Sequence, residues 1–279
     1  MATGCRRVSC LLVTVLILAG CSSRPTYPKA RLEASIQQVL KSEGLDASVR
    51  VVDHTLGIQL DYPGALVMQD NRVSLGPDFN EAARKIITSL HRVLLSTDAQ
   101  VDFYVILLSD PQAPGAYLTI VRYMDDVRRA NANMLDTFEM FARTILELNF
   151  AGGQPVTLEQ YVPRDIHLEE FLSWQLARRI QAALSEELQT AGVAAVGRCG
   201  GRFQDREFAF TLDVTPTHGG ALDETTLQEV FHTSTNVIAK VLSSYNFESY
   251  DKVRLIHPMT GRNLVLPKTH LDIFRNQLR

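Results

Sequence analysis

The sequence predicts an α+β fold built from two similar units. Each unit reads helix, strands, helix, strand-turn-strand, helix, with antiparallel or mixed sheets and helices packed on one face. Three observations predict it. Apolar residues recur at the helical period in several long stretches, shorter runs between them alternate apolar and polar, and glycine or proline marks the joins. The order of elements then repeats, once over residues 29–150 and again over 166–279, with 151–165 as connector. At 279 residues and 46% apolar composition the chain is long enough for two modest domains, each with its own core.

In the first half, Leu32, Ile36, Val39 and Leu40 form one helical stripe that Gly44 ends. Val49 to Asp61 alternates as a strand or hairpin, and Pro63-Gly64 breaks it. Asp78 is placed as the N-cap of the next helix, with Glu81 completing a capping box ahead of Phe79, Ala83, Ile86, Ile87, Leu90, Val93 and Leu94. Val101 to Leu108 is a strand run, Asp110 to Gly115 a turn, and Ala116 to Tyr123 a second alternating strand. In the second half, Phe171 to Leu188 and Asp223 to Tyr245 are the helices. Arg206 to Thr215, Val253 to His257 and Asn263 to Leu266 are the strands, and a short helix closes the chain from Lys268. Alternating strands leave one sheet face polar and place the helices on the other.

One segment exceeds the pattern. After Tyr123 the sequence predicts a single helix to Leu148, in which Val127, Met134, Phe141 and Leu148 recur every seven residues and Phe138 and Ile145 fill the intermediate positions. That is the seam spacing of a coiled coil. Such a helix either lies along its own sheet as a bridge between domains, or offers a seam to a second copy or a partner helix.

The N-terminus carries Arg6 and Arg7, an apolar run from Val8 to Leu18, and then Leu18-Ala19-Gly20-Cys21. The run is too short to span a bilayer, which takes about 20 residues. This ending resembles the lipobox of bacterial lipoproteins. The resemblance implies that residues 1–20 are a signal peptide, that Cys21 becomes the lipidated first residue, and that residues 21–28 are a tether. A single acyl chain holds only marginally, so stable attachment needs more than one. Ser22 stands where an aspartate would retain such a protein at the inner membrane, and the periplasmic face of the outer membrane is therefore the expected location.

Little else points to chemistry. Loss of Arg6 and Arg7 with the leader takes the formal charge from −3 to −5, which gives no electrostatic case for nucleic acid. Cys5 and Cys10 depart with the leader and Cys21 is consumed, so Cys199 stands alone and no intramolecular disulfide is expected. No two of His54, His91, His167, His218, His232, His257 and His270 are spaced i, i+4, and no metal or cofactor is expected. His91 and His232 sit beside apolar helix stripes and read as edge-of-core residues. Cys199 lies in Gly197-Arg-Cys-Gly-Gly201-Arg202, where flanking arginines would depress a thiol pKa, but nothing identifies a histidine for it. The pairs Asp125-Asp126, Glu169-Glu170 and Glu186-Glu187 point about 100° apart on a helix and read as solvated faces.

The stretch from Gly57 to Asp110 is similar in outline to an OmpA-like peptidoglycan-binding domain. The diagnostic Gly-His-Thr-Asp of that family stands here as Leu107-Leu108-Ser109-Asp110, and no ligand residues are carried over. The expectation is thus a lipid-anchored, non-catalytic binding or scaffold protein of the cell envelope. It would contact the membrane through its lipid, and an envelope protein or a second copy through the seam. The alternatives are a peptidoglycan binder and an enzyme whose site draws together His218, Asp213 and Cys199.

Overall fold

The computed structural model describes residues 26–70, 72–151, 156–162 and 164–277. The leader, Cys21 and most of the tether lie outside the described residues. The chain divides into two compact units, one comprising Met1–Leu135 with Leu146–Asp165, the other Asp136–Ile145 with Ile166–Arg279. Residues 136–145, expected with the first domain, therefore belong to the second unit. The expected connector, 151–165, falls within the first.

Unit 1 begins with α1 (Leu32–Ser42), β1 (Ala47–Val52) and β2 (Thr55–Asp61). A small hairpin follows, β3 (Leu66–Gln69) and β4 (Arg72–Leu75), then α2 (Phe79–Leu94), β5 (Phe103–Ser109), β6 (Ala116–Tyr123) and α3 (Met124–Asn131). The chain next contributes α4 (Thr137–Arg143) to unit 2, and returns as β7 (Ile145–Phe150) and the single turn α5 (Leu158–Tyr161). The five-stranded sheet runs β1-β2-β5-β6-β7. Its first two strands are antiparallel, β2 and β5 parallel, β5 and β6 antiparallel.

Period two sorts the side chains of this sheet. Tyr104 on β5 meets His91 of α2 at 3.0 Å, so Leu56, Ile58 and Leu60, in register with Tyr104, Ile106 and Leu108, share the α2 face. The opposite face is covered too. The Gln59 amide donates to the Val156 carbonyl at 2.8 Å and accepts from the Leu158 N–H at 2.9 Å, clasping α5 to the sheet. Thr157 and Gln160 close a capping box that holds this one turn in shape. Leu158 fills a notch at Gly57, where a Cβ would stand 2.7 Å from its Cδ1. Consistently, β5 is buried from Phe103 through Leu108. Each such aliphatic or aromatic side chain contributes about 1.5–3 kcal/mol on burial.

Two sequence expectations fail here. The Asp78–Glu81 capping box does not form: the Asp78 side chain makes no cap bond to the helix. Asp78 lies instead against Gly64, whose φ of +80° and missing Cβ allow the approach, and Glu81 pairs with Lys85 at 2.8 Å. The single helix from 125 to 148 is three elements, α3, α4 and β7. Asn133, at φ +56°, ends the first, and the Asp136 carboxylate starts the second by accepting from the Glu139 N–H at 2.8 Å. Thr144 is extended, and Ile145-Leu-Glu-Leu-Asn-Phe150 alternates as a strand. The seam is dispersed accordingly. Val127 and Ile145 are buried, whereas Met134, Phe138, Phe141 and Leu148 are exposed.

Unit 2 adds α6 (Leu168–Leu184), β8 (Ala194–Val196), β9 (Gly200–Gln204), β10 (Glu207–Thr211), β11 (Val214–Pro216), α7 (Glu224–Ser244), β12 (Lys252–His257), β13 (Arg262–Pro267) and α8 (Lys268–Gln277). Asp223 caps α7 by accepting from the Thr226 N–H at 2.8 Å. The four-stranded sheet runs β13-β12-β10-β9, with β10 and β12 parallel and both outer pairs antiparallel. Its core joins Phe208, Phe210, Val253 and Leu255 to Leu176, Ile180, Val230 and Ile238 of the helices. Gly201 is needed where β9 passes under α6, since a Cβ there would lie 2.2 Å from the Ser173 carbonyl oxygen.

The two units are the same construction. In order, α1-β1-β2-α2-β5-β6-α3 matches α6-β9-β10-α7-β12-β13-α8, and the inner strands are parallel in both. The match extends to single backbone bonds. Asp102 N–H donates to the His54 carbonyl and Asp251 N–H to that of Arg206, each at 2.8 Å. Met124 N–H then donates to Asp102 and Lys268 N–H to Asp251, at 2.8 and 2.9 Å. Asp53 and Asp205, both at φ +50°, open the equivalent tight turns.

Candidate functional site

The exposed phenylalanines of α4 are held by an unusual arrangement of charge. This helix has seven residues, too few to persist alone in water. Its stability comes from the Asp136 cap and from Arg143, which is 3% exposed. Arg143 donates to Glu139 at 2.8 Å, lies 4.4 Å over the Tyr245 ring, and reaches the Ser244 carbonyl at 3.4 Å. Arg179 of α6 meets the other oxygen of Glu139 at 3.4 Å. The Gln175 amide donates to the Arg143 carbonyl at 2.7 Å and to the Tyr245 hydroxyl at 2.9 Å. The charged residues of α4 thus face the body of unit 2, and its aromatic residues face water. Phe138 is 86% exposed and Phe141 66%, and Met134, a few residues earlier in the chain, is 66% exposed. The polarity of an ordinary surface helix is inverted.

The residues weighed for catalysis are occupied structurally. Cys199 is buried, and Gln181 accepts from its backbone N–H at 3.1 Å. Burial pushes its thiol up to about 11, with Asp213 close by, which reverses the expectation that Arg198 and Arg202 would activate it. The Asp213 carbonyl accepts from Gly197, while His218 is exposed on the turn beyond β11. His257 is fully buried, with Nδ1 2.8 Å from the Thr260 hydroxyl and Nε2 2.9 Å from the Val214 carbonyl. His91 is held against Tyr104, and burial brings it down to about 4. His232, expected at the edge of the core, is exposed and contacts Asn236 at 3.0 Å. Among the described residues no three His, Cys, Asp or Glu side chains gather closely enough to hold a metal ion.

Asp110, the one residue shared with the OmpA-like signature, spends its carboxylate on its own fold. It accepts from the Leu66 N–H at 3.0 Å and the Gln112 N–H at 2.8 Å while buried. Among the described residues no helix is long and apolar enough to cross a membrane.

Sequence reasoning offered Met134, Phe138 and Phe141 as a possible seam on one continuous helix, which the structure replaces with three separate elements. It missed the inward charges altogether. The available signal was Glu139 and Arg143 at i, i+4 directly after an Asp136 cap, a self-contained short helix within the supposed long one. Neither the known protein families nor the curated proteins provide a match to this chain.

Proposed function

We propose that this chain is a lipid-anchored, non-catalytic binding or scaffold protein of the cell envelope, tethered through Cys21 at the periplasmic face of the outer membrane. It holds a protein partner through Phe138 and Phe141. The observation that carries this reading is the inverted polarity of α4, which turns Glu139 and Arg143 inward and leaves both phenylalanines in water. Aromatic anchors of this kind supply a large share of binding energy when a partner covers them. Anchoring would add to it by confining the body near other proteins of the same membrane, raising their effective concentration.

The reading has separable tests. Palmitate labelling is expected to tag the protein, and Cys21→Ser is expected to release it from membranes; retention of the variant would remove the anchor. Because both phenylalanines are exposed, Phe138→Glu with Phe141→Glu is expected to leave folding intact and abolish crosslinking to the partner in native envelopes. An unchanged crosslink pattern would remove the contact. Self-crosslinking lost in the double variant would identify the partner as a second copy. Purified sacculi are expected not to retain the protein, since the Asp110 carboxylate is already engaged by backbone N–H groups.

A further inference from the structure

The chain is fastened to unit 1 before its first helix begins. Tyr27 forms a parallel bridge with Thr97, just past the end of α2, and its N–H donates to the Ser96 carbonyl at 3.4 Å. The Lys29 N–H donates to the Asp98 carboxylate, and Pro28 leads into a 3-10 turn, Lys29–Arg31, ahead of α1. The surface around this fastening point is basic and partly apolar. Lys29 and Arg31 are exposed, as is Arg92 in the last turn of α2. Leu95, the residue that ends α2, is 37% exposed. Residues 26–31 and 92–98 together hold three basic side chains against one acid, in a chain whose formal charge is −3.

We infer that this end of unit 1 docks on an anionic phospholipid bilayer, with Leu95 dipping into the headgroup layer and Lys29, Arg31 and Arg92 meeting lipid phosphates. The inference rests on the anchor at Cys21 and says which way the anchored body faces. Cys21 stands six residues before Tyr27, and extended chain covers at most about 3.6 Å per residue, so Tyr27 stays within about 22 Å of an anchored Cys21. A domain of this size is about 35 Å across, so that length is too short to pass round to the far side of unit 1. The charge is complementary, since each basic side chain beside an anionic surface favours binding by about fivefold. Arg24, between the anchor and Tyr27, adds a further positive charge. Lysine and arginine stems lie along apolar surface while their heads reach phosphate, which suits them to flank Leu95. Phe138 and Phe141 belong to unit 2 and take no part.

The test uses the lipidated protein purified from membranes, bound to vesicles of phosphatidylcholine with phosphatidylglycerol and recovered by flotation. Cys199 is buried, so a polarity-sensitive thiol dye can be placed selectively at Leu95→Cys and, as the far reference, at Asn80→Cys. Asn80 is exposed at the other end of α2, about 22 Å along its axis. The dye at Leu95→Cys is expected to shift to the blue and to be quenched by headgroup-labelled lipid at least about twofold more than the dye at Asn80→Cys. Arg31→Glu with Arg92→Glu is expected to erase that difference without loss of flotation, and so are vesicles of phosphatidylcholine alone. Circular dichroism confirms that each variant stays folded. Equal quenching at the two positions, or a difference that survives the charge reversal, overturns the docking while the anchor stands. Failure of the unlabelled protein to float removes the anchor, and the docking with it.

Discussion

Units 1 and 2 solve the same topology with different second faces, and the difference is visible strand by strand. In unit 1, β5 is buried at six successive positions because α5 crosses the sheet opposite α2. In unit 2 the equivalent strand β12 alternates half-buried and buried, Lys252 to His257, because the helices cover only one face. A parallel strand buried on both faces loses its alternation, while one with an open face keeps it. The comparison teaches that the fold is set by the helix-hairpin-helix-hairpin order, and that cover over the second face is a separate addition.

Acid separates the units most strongly. His91 is held at about 4 in unit 1 against an ordinary value near 6.5, chiefly by burial. The unfolded chain therefore binds this proton first, and unit 1 is expected to lose up to about 3 kcal/mol as pH falls from about 6.5 to 4. Unit 2 has its main titration elsewhere. Glu207 is brought down to about 2 by hydrogen bonds from Arg254 and Lys252, so its contribution persists until pH falls from about 4.5 toward 2. The single tryptophan, Trp174, lies in α6 and reads unit 2, while hydrogen exchange on β5 reads unit 1. Coincident acid transitions by the two probes would break the comparison, and His91→Gln is expected to remove the upper window.

Filling the second strand's notch comes next. Gly57→Leu collides with Leu158 and is expected to destabilise unit 1 by about 2 kcal/mol, within the range for overpacked sites. Val265→Leu, on the outer strand β13 of unit 2 and 42% exposed, is expected to change stability by less than about 0.5 kcal/mol. Urea unfolding followed by the same two probes compares them. Equal losses would mean that the unit 2 face is covered after all.

Gln59→Ala is expected to cost about 1–2 kcal/mol, because the Val156 carbonyl and the Leu158 N–H lose their partner in a half-buried setting. Its counterpart Thr211→Ala removes an exposed hydroxyl and is expected to leave the urea midpoint unchanged. The smallest effect concerns the equivalent turns. Arg206→Ala breaks an exposed pair with Asp251 and is expected to give no measurable shift in thermal midpoint, as is usual for solvated ion pairs. A clear shift would show that the second turn carries more of the unit than its exposure implies.

The order of elements was legible wherever one period persisted and the ends were punctuated. Asp223 and the stripe from Leu227 to Leu242 give α7, and Val49 to Asp61 gives the first hairpin. The helix from 125 to 148 was illegible because residues from α3, α4 and β7 fall by coincidence on one seven-residue spacing. A long-range period outweighed three local signals: Asn131 to Asn133, the Asp136 cap, and the alternation after Ile145. The duplication was legible as an order and not as identities. Arg50 and Arg202, Asp53 and Asp205, Asp102 and Asp251, and Val121 and Val265 do match. Loops of unequal length change the interval between them, so no fixed offset aligns them. The outward phenylalanines were named from sequence, but their exposure depends on where Arg143 goes, which no local pattern specifies.

The interlacing at α4 has a practical consequence for anyone dissecting the molecule. Residues 136–145 belong to unit 2, and the chain then revisits unit 1 through Asp165. No single scission between Leu135 and Ile166 yields two intact halves, for one fragment always forfeits a piece that completed its fold. The halves are therefore not interchangeable cassettes. A fragment beginning at Ile166 would start life without the helix that Tyr245 and Gln175 are built to receive.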